Sequence, residues 1–157
     1  MKGVYALIIQ ISKQLTLTTG GLGKLTLEKG AYVYVGSALG IGSTSLENRL
    51  GRHFSDTKTI HWHIDYLLDM DVEIESAVWA RTDETMECDL AQSIKSSDDF
   101  EQGPPGFGAS DCKRNCGTHL FRQTTNQSTA DILDRIFKKL GLQPHIAKGK
   151  KFPSPSK

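Results

Sequence analysis

The side chains of this chain best suited to chemistry come in a fixed order: the phenols of Tyr5 and Tyr34, the guanidinium of Arg49 and the carboxylate of Glu87. Tyr5 ends Gly3-Val4-Tyr5 at the opening of the first apolar run, and Tyr34 begins Tyr34-Val35-Gly36-Ser37 at the close of the next strong one. Arg49 follows within Leu46-Glu47-Asn48-Arg49-Leu50-Gly51-Arg52-His53. Phosphodiester hydrolysis needs an activated water, stabilisation of charge on the phosphoryl oxygens and help for the leaving oxygen. Tyr, Tyr, Arg and Glu form a set that can cut a phosphodiester.

The elements that must position these residues can be read from hydrophobic period. Tyr5, Leu7, Ile9 and Ile11 alternate with period two, and a further β-like run covers 14–18. Thr19-Gly20-Gly21-Leu22-Gly23 supplies the positive-φ positions of a turn, and Leu25 and Leu27 start a return strand. Lys29-Gly30 breaks the pattern ahead of a β-branched and aromatic strand over 31–37, so an antiparallel meander is expected. After a Gly- and Ser-rich link, Thr44-x-x-Glu47 reads as a capping box for a helix on which Leu46, Arg49, Leu50 and His53 share a stripe.

A second helix is expected over 61–69, and then a strand over 72–79 with Val72, Ile74, Ser76 and Val78 on one buried face. A third helix over about 84–95 places Glu87 on the face of Leu90, Ala91 and Ile94. A carboxylate so placed costs several kcal/mol to bury unless a cation or donor satisfies it, so Glu87 needs a partner. Gln102-Gly103-Pro104-Pro105-Gly106-Phe107-Gly108 is a loop, and a last helix over about 129–140 stops at Gly141. The expected fold class is α+β, a small central antiparallel sheet flanked by helices.

A chain of 157 residues fits one domain, here 1–142, followed by a basic tail over 143–157 that is expected to be disordered after Pro144. Residues 135–157 carry seven basic and no acidic side chains, whereas 1–134 carry twelve basic against eighteen acidic, so the net charge of +1 divides into +7 and −6. The basic end suits a phosphate-seeking arm or a solvated tail. No signal-peptide pattern opens the chain, and runs such as 31–35 are too short to span a bilayer, so a cytosolic protein without membrane contact is expected. Three cysteines without a secretory signal argue against a disulfide framework.

Several blocks together resemble a known family: Lys2-Gly3-Val4-Tyr5-Ala6-Leu7, Tyr32-Val33-Tyr34-Val35-Gly36-Ser37-Ala38, Arg49-Leu50-x-Arg52-His53, His61-Trp62-His63-Ile64-Asp65-Tyr66-Leu67-Leu68, Glu87-Cys88-x-Leu90-Ala91 and Gly106-Phe107-Gly108. Their order over about 2–122 is similar to the GIY-YIG nuclease superfamily, in particular its Uri-type branch of small prokaryotic proteins named for the UvrC and intron-encoded endonucleases. Twenty-eight residues separate Tyr5 from Tyr34, more than in better-known members, which implies an added hairpin. The resemblance implies a divalent-metal-dependent DNA endonuclease leaving 5′-phosphate and 3′-hydroxyl ends, in DNA repair or in processing branched or single-stranded DNA.

It also implies roles for particular residues. Tyr5 and Tyr34 would orient and deprotonate the water, with a nearby cation needed to favour phenolate, and Tyr34 is the less favoured base. Arg49 would offer a planar donor fork to the scissile phosphate, and Glu87 would hold Mg²⁺, or Mn²⁺ in its place. Gly36 would let the backbone approach the substrate, and Ser37 would donate to phosphate. Arg52, His53, His61 and His63 are further substrate-binding candidates, His53 serving equally well as a proton carrier or a core-edge histidine. Each has a plainer reading as a packed tyrosine, a surface ion-pair arginine or a capped carboxylate.

Cys112, Cys116 and His119, with Cys88 as a further ligand, offer soft donors for a structural Zn²⁺, but reduced thiols are the favoured reading. A non-cutting nucleic-acid-binding module on the same fold is the alternative function. RNA in place of DNA, and monomer against homodimer, stay open.

Overall fold

A computed structural model of the chain describes residues 1–40, 45–55, 63–70, 72–109 and 116–148. Among them eight strands and four helices alternate in the order β1 (Gly3–Ile11), β2 (Leu15–Thr19), β3 (Gly23–Leu27), β4 (Gly30–Ala38), α1 (Leu46–Phe54), α2 (His63–Leu68), β5 (Glu73–Arg81), α3 (Glu87–Lys95), β6 (Phe100–Gln102), β7 (Leu120–Gln123), α4 (Thr129–Lys139) and β8 (His145–Lys148). The fold is α+β, built on a six-stranded antiparallel sheet in the order β6-β7-β4-β1-β5-β8. No helix among the described residues is long and apolar enough to cross a membrane.

β1 is central and buried on both faces, which is why its sequence is a continuous apolar run. Tyr5, Leu7, Ile9 and Ile11 face one core, closed by Leu46, Leu50 and Phe54 of α1 and Ile64 and Leu67 of α2. Val4, Ala6 and Ile8 face the other, closed by Leu90, Ala91 and Ile94 of α3 and Ile132, Leu133 and Phe137 of α4. Residues two apart point to the same side of a strand, so the β1–β4 register, with Tyr5 opposite Gly36 and Leu7 opposite Tyr34, puts both phenols on the α1 and α2 side.

The expected meander does not form. β1 is already paired on both sides, by β4 and β5, so neither β2 nor β3 can pair with it; they make a separate two-stranded sheet. That hairpin occupies the long Tyr5–Tyr34 spacing, and its Leu17 and Leu27 join the core that holds Tyr5. Its turn closes through Gly23 at φ 74°. β5 begins at Glu73 rather than Val72, and Val72, Ile74, Ser76 and Val78 do not share one face. The β1–β5 register shifts between Ile8 and Ile9, so Val72 and Ile74 pack with Ala77 and Trp79 in the core closed by α1 and α2. Val78 and Ala80 pack in the core closed by α3 and α4, which buries both faces from Ser76 to Ala80.

Two expectations at element ends also change. Thr44 lies outside the described residues, and Ser45 is the N-cap of α1, its hydroxyl accepting from the Asn48 N–H at 3.3 Å. The segment after Pro144 is not uniformly disordered: His145–Lys148 pairs with β5, Trp79 stacks on His145 with ring centroids 4.6 Å apart, and Ala147 is buried. This short strand covers an otherwise open sheet edge, a tertiary gain that a basic, weakly patterned segment does not announce. Residues 149–157 lie outside the described set.

Candidate functional site

The two strand tyrosines meet the last turn of α1. The Tyr5 hydroxyl lies 2.8 Å from Nε2 of the buried His53, and the His53 ring is tilted against Tyr5 at 5.4 Å and edge-on to Tyr34 at 6.4 Å between centroids. The apolar stripe of α1 explains this placement: Leu46, Leu50 and Phe54 anchor the helix, and His53 and Arg49 border the same face. Arg49 hydrogen-bonds to the Tyr5 hydroxyl, and its Nη1 donates to the Ser37 carbonyl at 2.9 Å.

Gly36 serves Tyr5. A Cβ at this position would lie 2.4 Å from both the ring Cζ and the hydroxyl, so the absence of a side chain lets the phenol lie across β4. The space assigned from sequence to an approaching substrate is therefore filled by Tyr5. Gly108, at φ 69°, does the same for Tyr34, whose Cε1 would be 2.6 Å from a Cβ there. We expect Gly36→Ala to destabilise the protein by about 1–3 kcal/mol through overpacking. Calorimetry on the single variants and on the Tyr5→Ala/Gly36→Ala pair checks this, because the cost should vanish once the ring is gone; an equal cost in both backgrounds would rule out the clash.

Glu87 opens α3 and has the partners its position demanded. Its Oε1 accepts from the Ser37 hydroxyl at 2.7 Å, and Oε2 lies 2.8 Å from Nδ1 of His119, which is 1% exposed. Ser37 thus contacts both α1 and α3, its carbonyl facing Arg49 and its hydroxyl facing Glu87. His119 as the companion of Glu87 was not legible in the sequence, where Cys116-x-x-His119 pointed only to a metal. Glu87 keeps 26% of its side-chain surface exposed, which leaves the carboxylate reachable from solvent.

The remaining candidates are placed otherwise. Arg52 makes a bidentate ion pair with Asp65 of α2, 2.9 and 2.8 Å, and Asp65 is fully buried, so this guanidinium ties α1 to α2. His63 accepts from the Gly108 N–H through Nδ1 at 3.0 Å and packs on Phe107 at 5.7 Å between centroids. It thereby fixes the Gly106-Phe107-Gly108 turn against Tyr34, to which Phe107 is edge-on at 6.1 Å. His61 and Cys112 lie outside the described residues.

Burial pushes the Tyr5 phenol well above its ordinary range, and Tyr34 adds to the rise while Arg49 opposes it. Burial likewise raises Tyr34, helped by Glu87 and Asp65 and opposed by Arg49. A raised folded-state value favours the neutral phenol in the fold. The resulting stability is fully present below about pH 10 and is lost as pH rises from there towards the folded-state values. The urea midpoint of the wild type is thus expected to fall more steeply above about pH 10 than that of Tyr34→Phe. Parallel slopes would mean that Tyr34 ionises as readily folded as unfolded.

Fold and site together define a small α+β domain in which a phenol–imidazole pair, an arginine and a helix-starting carboxylate are gathered around the β1–β4 ladder. Over residues 4–142 the chain matches the family described as domain of unknown function DUF123, and it belongs to that family. No curated protein and no solved structure matches it.

Proposed function

We propose that this protein is a divalent-metal-dependent endonuclease of the GIY-YIG type, close to its Uri-like branch, that hydrolyses DNA phosphodiesters to 5′-phosphate and 3′-hydroxyl ends. The observation that carries the reading is the Tyr5 hydroxyl, 2.8 Å from the His53 Nε2 and bonded to Arg49 as well. A phenol whose ionisation is suppressed by burial is a poor free base, but it can relay. As a water bound to the Tyr5 hydroxyl attacks phosphorus, its proton passes to Tyr5 while the Tyr5 proton moves to His53, and no standing phenolate is needed. That makes Tyr5 the relay and His53 the final proton acceptor, and leaves Tyr34 to hold the geometry.

Arg49 would place its planar fork on the scissile phosphate, where a lysine would offer only a point charge. Glu87 fits a Mg²⁺ or Mn²⁺ ligand: one carboxylate, partly exposed and held in place by Ser37 and His119, suits a hard cation that keeps several of its own waters. Such an ion, when bound, supplies charge stabilisation to the phosphoryl and leaving oxygens. The basic segment over 135–157 adds long-range attraction to nucleic acid, and repair or processing of branched or single-stranded DNA is the expected setting.

A second reading has its own support. Burial of both phenols, together with the contacts that hold Arg49 and Glu87 within the chain, also suits a nucleic-acid-binding module that keeps the fold and does not cut. End-labelled single-stranded, duplex, flap and junction DNAs, with matched RNAs, incubated with Mg²⁺, Mn²⁺ or EDTA, separate the two. Strand cleavage that needs the metal and leaves 5′-phosphates is expected. Binding without cutting across the panel would sink the nuclease reading and leave the binding module.

A further inference from the structure

A second set of chemically active groups lies directly behind Glu87. Cys88 follows it in the first turn of α3, and Cys116 and His119 lie on the segment leading into β7. One ligand atom from each of Cys88, Cys116 and His119 falls within 4.8 Å of the others, and Cys116 and His119 are 1% exposed. Twenty-seven residues separate Cys88 from Cys116, so sequence spacing alone does not pair them.

We propose that Cys88, Cys116 and His119 form a Zn²⁺ site. Two thiols and an imidazole are the soft and borderline donors that favour zinc over magnesium or calcium. A tetrahedral ion with ordinary Zn–S and Zn–N lengths sets its ligands roughly 3.5–3.8 Å apart, about an ångström inside the upper limit observed. The backbone around the site is already fixed: the His119 N–H donates to the Phe107 carbonyl at 2.8 Å, and its own carbonyl accepts from the Val35 N–H at 2.9 Å.

Nδ1 of His119 lies 2.8 Å from Glu87 Oε2, which leaves Nε2 as the nitrogen for the metal. Glu87, His119 and zinc then form the carboxylate–histidine–metal series that fixes a ligand's tautomer and raises its basicity. Among the described residues no fourth metal-ligating side chain joins these three. The ion staples the start of α3 to the segment before β7, and so holds the carboxylate assigned above to the hydrolytic metal. The zinc site itself does not depend on the nuclease reading.

Elemental analysis of the untagged full chain, purified without added metal and then incubated with equimolar Zn²⁺, is the test. About one tightly held zinc per chain is expected, with at least about tenfold weaker retention in Cys116→Ser and in Glu87→Gln. Co²⁺ exchanged into the wild type should show a thiolate charge-transfer band that Cys88→Ser weakens. Should the serine variants fail to fold, the wild type still decides: its Cys88 and Cys116 thiols must resist a thiol reagent until a chelator is added. Thiols that react equally with and without chelator, a Cys88–Cys116 disulfide in the purified protein, or zinc retention unchanged by these substitutions would overturn the site. Zinc is read without substrate, so failure of the nuclease assay leaves this result standing, and the reverse holds too.

Discussion

Arg49→Lys and Glu87→Gln are each expected to lower the single-turnover rate of DNA cleavage by about 10²- to 10³-fold while changing DNA affinity far less. Arg49 touches the Tyr5 hydroxyl and the Ser37 carbonyl, and Glu87 touches Ser37 and His119, so both sit where a phosphate bound beside Tyr5 would meet them. Lysine keeps the charge of Arg49 but loses the fork that can grip two phosphoryl oxygens. Glutamine keeps the size of Glu87 and an acceptor for Ser37 but loses the charge that a Mg²⁺ ligand needs. Rate and affinity are measured on the same preferred substrate, with thermal unfolding to show that the variants fold. Wild-type rates in both variants would remove these residues from the chemistry; an equal loss of rate and affinity would make them binding residues.

Arg52→Ala should produce the largest loss of stability. It strips the bidentate partner from Asp65, a carboxylate with no exposed surface, and breaking a buried ion pair by removing one partner costs about 3–5 kcal/mol. For a chain of this length that corresponds to a fall in Tm of roughly 6–20 °C. Pairing the substitution with Asp65→Asn should recover much of the loss, since the charge left behind is then removed. Calorimetry on the single and double variants measures both effects. An unchanged Tm in Arg52→Ala would return Arg52 to the substrate-binding role that sequence suggested, because a side chain that only meets substrate contributes nothing to the free protein.

His53, Glu87 and His119 show how far the sequence could be read. The helical stripe of α1 placed His53 beside Arg49 without choosing between proton carrier and core-edge residue, and the 2.8 Å contact with Tyr5 resolves its surroundings. A carboxylate on the apolar face of α3 announced that Glu87 required a partner, but no local pattern could name His119, thirty-two residues away, or Ser37, fifty residues earlier. Gly36 was marked as special for an approaching substrate: a glycine reports that something approaches closely, and only the strand register shows that Tyr5 is such a neighbour.

By itself the sequence determined what local interactions control. It set the period-two runs of β1 and β4, the hairpin between them, the stripes of α1, α3 and α4, the stop at Gly141 and the order of Tyr5, Tyr34, Arg49 and Glu87. Tertiary structure decided what depends on competition between distant segments. β1 pairs with β4 and β5, which keeps the hairpin from pairing with it. The short strands β6, β7 and β8 exist because an edge was available to them. The burial that raises the two phenols is likewise collective, supplied by α1, α2 and the turn at Phe107 closing over one face of the sheet. Backbone propensity and side-chain period act over a few residues, whereas pairing, desolvation and ion-pair choice are settled only when the layers meet.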